Sequence, residues 1–181
     1  VYPTKILPEL KCPVIAFHSY KGGVGRTLSL IAFAQAWTNI QDDPQKNKLL
    51  IIDSDLEAPG LTLIQGNLNE TAFSYLDLLT LIQDNSSIEE IVSTSEDLMG
   101  TLTLPIETSQ QRVEHFFLPT YRYEQQLFDL YASPQTITIS RNKEYILAEV
   151  LSKLAAQLGA SAVLVYLRAG ISEYYSPLLL D

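Results

Sequence analysis

The stretch Ser19-Tyr20-Lys21-Gly22-Gly23-Val24-Gly25-Arg26-Thr27 constrains this chain more than any other. Ahead of it, Pro13-Val14-Ile15-Ala16-Phe17-His18 is a short apolar run that reads as a buried strand. Behind it, Leu28 to Ile40 reads as a helix, with Leu30, Ile31, Ala34 and Trp37 near helical spacing. A strand, a glycine-rich loop and a helix in that order make a phosphate-binding loop. The reason is steric and electrostatic. Glycines let backbone N–H groups turn inward and approach an anion closely, and the helix N-terminus adds positive potential.

A second apolar run, Leu49-Leu50-Ile51-Ile52, follows the polar connector Gln41 to Asn47 and ends in Asp53-Ser54-Asp55. Taken alone those carboxylates are a helix cap and a solvated turn. At the end of a parallel strand they lie on the crevice side of an α/β sheet, where ligands bind. Between Leu61 and Asp97 the pattern is helical: Phe73, Leu76, Leu79, Thr80 and Ile82 form one amphipathic piece, and Ser87 to Val92 a shorter one. Thr101 to Leu104, before Pro105, reads as a short edge strand. Glu114 to Pro119 and Ser161 to Leu167 read as further buried strands. Ser140 is the expected cap of a helix running to Leu158, with Leu147, Leu151, Leu154 and Leu158 on one face and Gly159 ending it. The expectation is a mostly parallel sheet flanked by helices, Rossmann-like in three layers, with residues 1–181 as a single domain.

Charge narrows the partners. A net charge of −9 argues against a broad nucleic-acid face, which needs clustered Lys and Arg. For the same reason the aromatic region around Tyr121, Tyr123, Phe128 and Tyr131, with Arg122 nearby, does not favour base stacking. Cys12 is alone, so an internal disulfide is excluded, and His18 and His115 lack metal-ligand spacing. No run approaches the ~18 apolar residues of a membrane span, and the first residues do not resemble a secretory signal. A cytoplasmic protein is expected.

The loop with its two cations, Lys21 and Arg26, resembles the deviant Walker A motif of ParA/MinD-type ATPases in the SIMIBI class of P-loop NTPases. More narrowly it is similar to the branch reading Lys-Gly-Gly-Val-Gly-Arg. The resemblance implies ATP or ADP and Mg²⁺ as ligands, with slow hydrolysis coupled to a nucleotide-dependent homodimer. It places Gly22, Gly23, Val24, Gly25, Arg26, Thr27 and Leu28 around the phosphates and Thr27 on Mg²⁺. It also implies Lys21 reaching a partner's nucleotide, Asp53 near the magnesium shell, Asp55 orienting water, and the Gly170 N–H meeting the terminal phosphate.

Three departures qualify it. Tyr166 falls where the family carries a magnesium-associated Asp, which bears on hydrolysis more than on binding. Arg26 stands where most members carry Lys; its guanidinium stays charged and makes two-pronged phosphate contacts. The sequence given ends at Asp181, soon after the second switch region, so the expectation is an N-terminal portion of a full family domain, completed by further domains or a partner protein. Two other readings stand beside the first. One is a non-catalytic nucleotide-binding module of a larger protein. The other is a bacterial tyrosine-kinase-like domain, for which Tyr174 and Tyr175 are too few to make a tyrosine cluster.

Overall fold

Strand β1 (Val14–Ser19) and helix α1 (Arg26–Ile40) bracket the glycine loop, so Arg26 and Thr27 lie in the first helical turn rather than before it. The computed structural model describes residues 9–40, 47–66, 68, 71–84, 87–99, 102–109, 111–127 and 145–170. Strand β2 (Leu50–Asp53) is buried at every position. Three helices follow where the sequence pattern was helical throughout: α2 (Gly60–Gln65), α3 (Tyr75–Gln83) and α4 (Ile88–Met99). Ser74 starts α3 with a reciprocal capping box, its hydroxyl and backbone N–H both paired with Asp77. Thr80, expected on the apolar face of that helix, is exposed.

Strand β3 (Thr103–Glu107) lies two residues beyond the expected position and includes Pro105. Pro105 is tolerated there because β3 is an edge strand, where a missing N–H breaks no ladder. Strand β4 (Arg112–Leu118), a 3-10 turn (Glu124–Leu127), α5 (Ile146–Gln157) and β5 (Val163–Ala169) complete the described elements. The expected Ser140 cap lies outside the described residues, as do Phe128, Tyr131, Tyr174 and Tyr175. Helix α5 begins instead after Tyr145, which gives no side-chain cap. Gly159 follows its end with φ +74°, the left-handed geometry that stops a helix.

The strands form one sheet in the order β1-β5-β2-β4-β3. Its first four strands run parallel, and β3 pairs antiparallel with β4. Alternation along the strands divides the core between two faces. Leu50, Ile52, Val163 and Val165 pack with α3, α4 and α5, whereas Ile51, Leu164, Phe117 and Tyr166 pack with α1 and with Leu61 of α2. This is an α/β protein with a mostly parallel sheet flanked by helices on both faces. A fully buried Leu or Ile contributes roughly 2–3 kcal/mol, so two such faces anchor the strand ends firmly.

Candidate functional site

Parallel pairing sets Asp53 of β2 opposite Tyr166 of β5, and the loop after β1 rises beside them. Gly23 and Gly25 take φ of +74° and +86°, and no heavy atom lies within 4 Å of where a Cβ would stand at Gly22, Gly23 or Gly25. The loop is therefore open on its outer side. Among the described residues, the N–H groups of these three glycines are not engaged in hydrogen bonds. Around them Lys21 is exposed, and so are Tyr20, Val24 and Leu28 at 76%, 61% and 73%. The 15-residue α1 starts immediately after Gly25, so its positive end faces the same space.

Arg26 takes a different course from Lys21. Its guanidinium donates to the Leu167 carbonyl, to Tyr166 Oη at 3.3 Å and to Asp55 Oδ2 at 3.4 Å. Its Cζ stands 4.7 Å from the Tyr166 ring centroid, a cation–π contact. Thr27 Oγ1 is 3.1 Å from Tyr166 Oη. One phenol thus joins the first two residues of α1 to the end of β5.

The two aspartates are buried and saturated. Asp53 Oδ2 accepts from the Thr62 N–H at 2.8 Å and its hydroxyl at 2.9 Å, and Oδ1 accepts from the Asp55 N–H at 3.2 Å. Burial pushes the Asp53 carboxyl up to about 6, against the opposing bonds from Thr62. Asp55 Oδ1 accepts from the N–H groups of Glu57 and Ala58 at 3.2 and 3.0 Å, and Arg26 meets its Oδ2. Thr120 closes the net by donating its hydroxyl to the Asp53 carbonyl while its N–H donates to Thr62.

Gly170 ends β5 with φ +96°. Its N–H donates to the Ser19 carbonyl at 2.8 Å, and its carbonyl lies 2.7 Å from His18 Nε2. The turn after β5 is thereby tied to the start of the loop. Arg168 forms an ion pair with Glu57 at the rim. His115, as expected of a core histidine, is fully buried. Its Nδ1 accepts the Leu49 N–H at 3.2 Å. Thr38 gives its own proton to the Ala34 carbonyl, so the Nε2–H of His115 donates to Thr38 Oγ1 at 3.3 Å. Burial pulls its pKa down to about 4.

The structure therefore brings Arg26, Thr27, Asp53, Asp55 and Tyr166 into one bonded cluster and leaves Lys21, Gly22, Gly23, Val24 and Leu28 on the open side. Thr62 and Thr120, which orient Asp53, carry no mark in the sequence: a threonine nine residues beyond an aspartate has no motif to announce it. The open loop suits an extended anion such as a phosphate chain. A magnesium ion fits less well, since both oxygens of Asp53 and the Thr27 hydroxyl already have protein partners.

Fold and site together define an α/β protein with a glycine loop at the carboxyl edge of its parallel strands. Compared with protein-family models, curated proteins and solved structures, the chain has no significant match.

Proposed function

We propose that this chain is a nucleotide-binding module with a P-loop of the ParA/MinD type, taking ATP or ADP by its phosphates. The observation that carries the reading is the open glycine loop set directly on the positive end of α1, with Arg26 in the first turn. Gly22, Gly23, Val24 and Gly25 supply backbone N–H groups, and Leu28 is the third residue of the helix. Adenine rather than guanine is inherited from the resemblance. Binding is favoured over turnover because Asp55, the residue that would orient water, holds Arg26 and caps its own turn. Titration calorimetry with ATP tests this: saturable binding is expected, weakened at least about tenfold by Arg26→Ala. Absence of any heat of binding with ATP or ADP overturns the reading.

The second reading is the dimerisation switch with slow hydrolysis. Its support is the exposure of Lys21, Tyr20 and Val24 on the loop and of Leu28 in the first turn of α1, a cation among apolar side chains suited to a partner surface. In that reading Lys21 acts on the partner's nucleotide, where it would offset developing charge. Mixing Lys21→Ala protein with Arg26→Ala protein checks it. ATPase activity above that of either variant alone is expected of a shared site, and unimproved activity counts against one.

A further inference from the structure

We propose that the Tyr166 phenol takes the place beside Thr27 that a divalent cation would occupy and that Arg26 supplies the positive charge, so that the loop takes a nucleotide's phosphate chain without magnesium. This rests on the nucleotide-binding reading above. A magnesium-dependent P-loop needs a free helix hydroxyl and a carboxylate near it, because Mg²⁺ demands hard oxygen ligands in strict geometry. Here the hydroxyl of Thr27 is 3.1 Å from Tyr166 Oη, and the same phenol meets Arg26 at 3.3 Å. A phenol is uncharged, a donor as well as an acceptor, and a poor magnesium ligand.

The start of α2 lies beside the pair: a Cβ at Gly60 would stand 3.5 Å from Tyr166 Oη and 3.7 Å from Thr27 Oγ1. The neighbouring carboxylates are spent on other partners. Asp53 accepts three hydrogen bonds from Thr62 and Asp55, and Asp55 accepts two backbone N–H groups and Arg26. Among the described residues, no cluster of three or more His, Cys, Asp or Glu side chains is placed to hold a metal ion.

Positive charge comes from Arg26 instead. It is 12% exposed, weakly hydrated as guanidinium groups are, and poised beside the helix start. A phosphate chain entering the loop offers it oxygens in exchange for Asp55, while the Tyr166 phenol remains a neutral donor next to Thr27. Arg26 and the loop amides together then do the charge neutralisation that a cation does elsewhere.

The experiment is calorimetric titration of the chain with ATP, once in excess EDTA and once in millimolar magnesium, on wild type, Thr27→Ala and Tyr166→Asp. Wild-type affinities within about threefold of each other are expected, and Thr27→Ala should shift them by less than about threefold. Tyr166→Asp, which puts a carboxylate beside Thr27, should bind at least about tenfold more tightly with magnesium than without. Thr27→Ala keeps the test alive where Tyr166→Asp fails to fold, as circular dichroism would report. Wild-type binding that requires magnesium, or a tenfold loss in Thr27→Ala seen only with magnesium, overturns the inference and leaves nucleotide binding standing. A folded Tyr166→Asp that stays indifferent to magnesium overturns the assignment to Tyr166. No binding in either condition overturns the nucleotide reading and this inference together.

Discussion

The site has two walls built on opposite principles. The glycine loop is exposed, with open space where side chains would stand and, among the described residues, no hydrogen-bond partner for its glycine N–H groups. The strand ends facing it are buried, and the polar side-chain atoms of Asp53, Asp55, Thr62 and Thr120 have protein partners, in their own turn or on another element. Recognition is cheap on the first wall because nothing has to be broken there. On the second wall any ligand must displace an existing bond, and the Arg26–Asp55 pair is the one most readily displaced, at 3.4 Å and with the Arg partly in solvent. The contrast teaches that binding and stability are divided between the walls, with Arg26 belonging to both.

The largest expected effect breaks the buried wall. Asp53→Ala removes the acceptor for two N–H groups and one hydroxyl, all buried. Leaving such donors unmet costs about 1–3 kcal/mol each in the worst case, and partial rescue by water brings the expected loss to roughly 3 kcal/mol. Urea unfolding measures it. A loss under about 1 kcal/mol would show that the wall is not held through Asp53.

How much of this division was legible in the sequence follows from where each signal lies. The loop was legible because glycine spacing and a flanking strand and helix are local, and β2 and β5 were legible because parallel strands buried on both faces are continuous apolar runs. Their ends were read two residues early for β5, since nothing in Ser161-Ala162 distinguishes an approach from a strand. The buried wall was half legible. Asp53 and Asp55 stood out by position, but Thr62, Thr120 and the phenol of Tyr166 meet Asp53 and Thr27 only through the crossing of the chain, with sequence separations of 9, 67 and 139. Tyr166 was visible from its place as a departure from a pattern, and its bonds to Arg26 and Thr27 were not.

The second effect sharpens the comparison through pH. The folded Asp53 carboxyl, raised to about 6, binds its proton more tightly than the unfolded one, so its contribution is lost as pH rises from ~4 to ~6. His115, at the opposite end of the same strand pair, is lowered to about 4. Its unfolded form takes up the proton first, so its contribution is lost as pH falls from ~6.5 to ~4. The two slopes oppose each other, each worth on the order of 3 kcal/mol. His115→Phe removes one of them. Its stability should fall more steeply than the wild type's as pH rises through that window, on top of about 1 kcal/mol lost with the acceptor for the Leu49 N–H. Urea midpoints measured across the window that run parallel for both proteins would contradict the pairing of opposed shifts.

The third effect probes the open wall. Gly25→Ala forces a side chain into φ +86°, a strain of roughly 1 kcal/mol although the space is empty. Gly22→Ala has the same open space without a positive φ and should cost less than about 0.5 kcal/mol. Thermal or urea unfolding of both variants separates backbone strain from crowding. Equal losses would mean that the loop is pressed against something the open geometry does not reveal.

Lys21→Ala carries the smallest expected effect, and its smallness is the point. The side chain is exposed, and its backbone carbonyl rather than its ammonium meets the Ser19 hydroxyl. Surface substitutions of this kind change stability by less than about 0.5 kcal/mol. Arg26→Ala strips the donor to the Leu167 carbonyl, the Tyr166 phenol and Asp55, and should cost at least about 1 kcal/mol. Two cations five residues apart therefore separate cleanly among the described residues: Arg26 is bonded into the buried wall, and Lys21 is exposed on the loop. Parallel urea titrations decide it. A loss of about 1 kcal/mol or more in Lys21→Ala would fold the loop back onto the buried wall and erase the difference between the two sides.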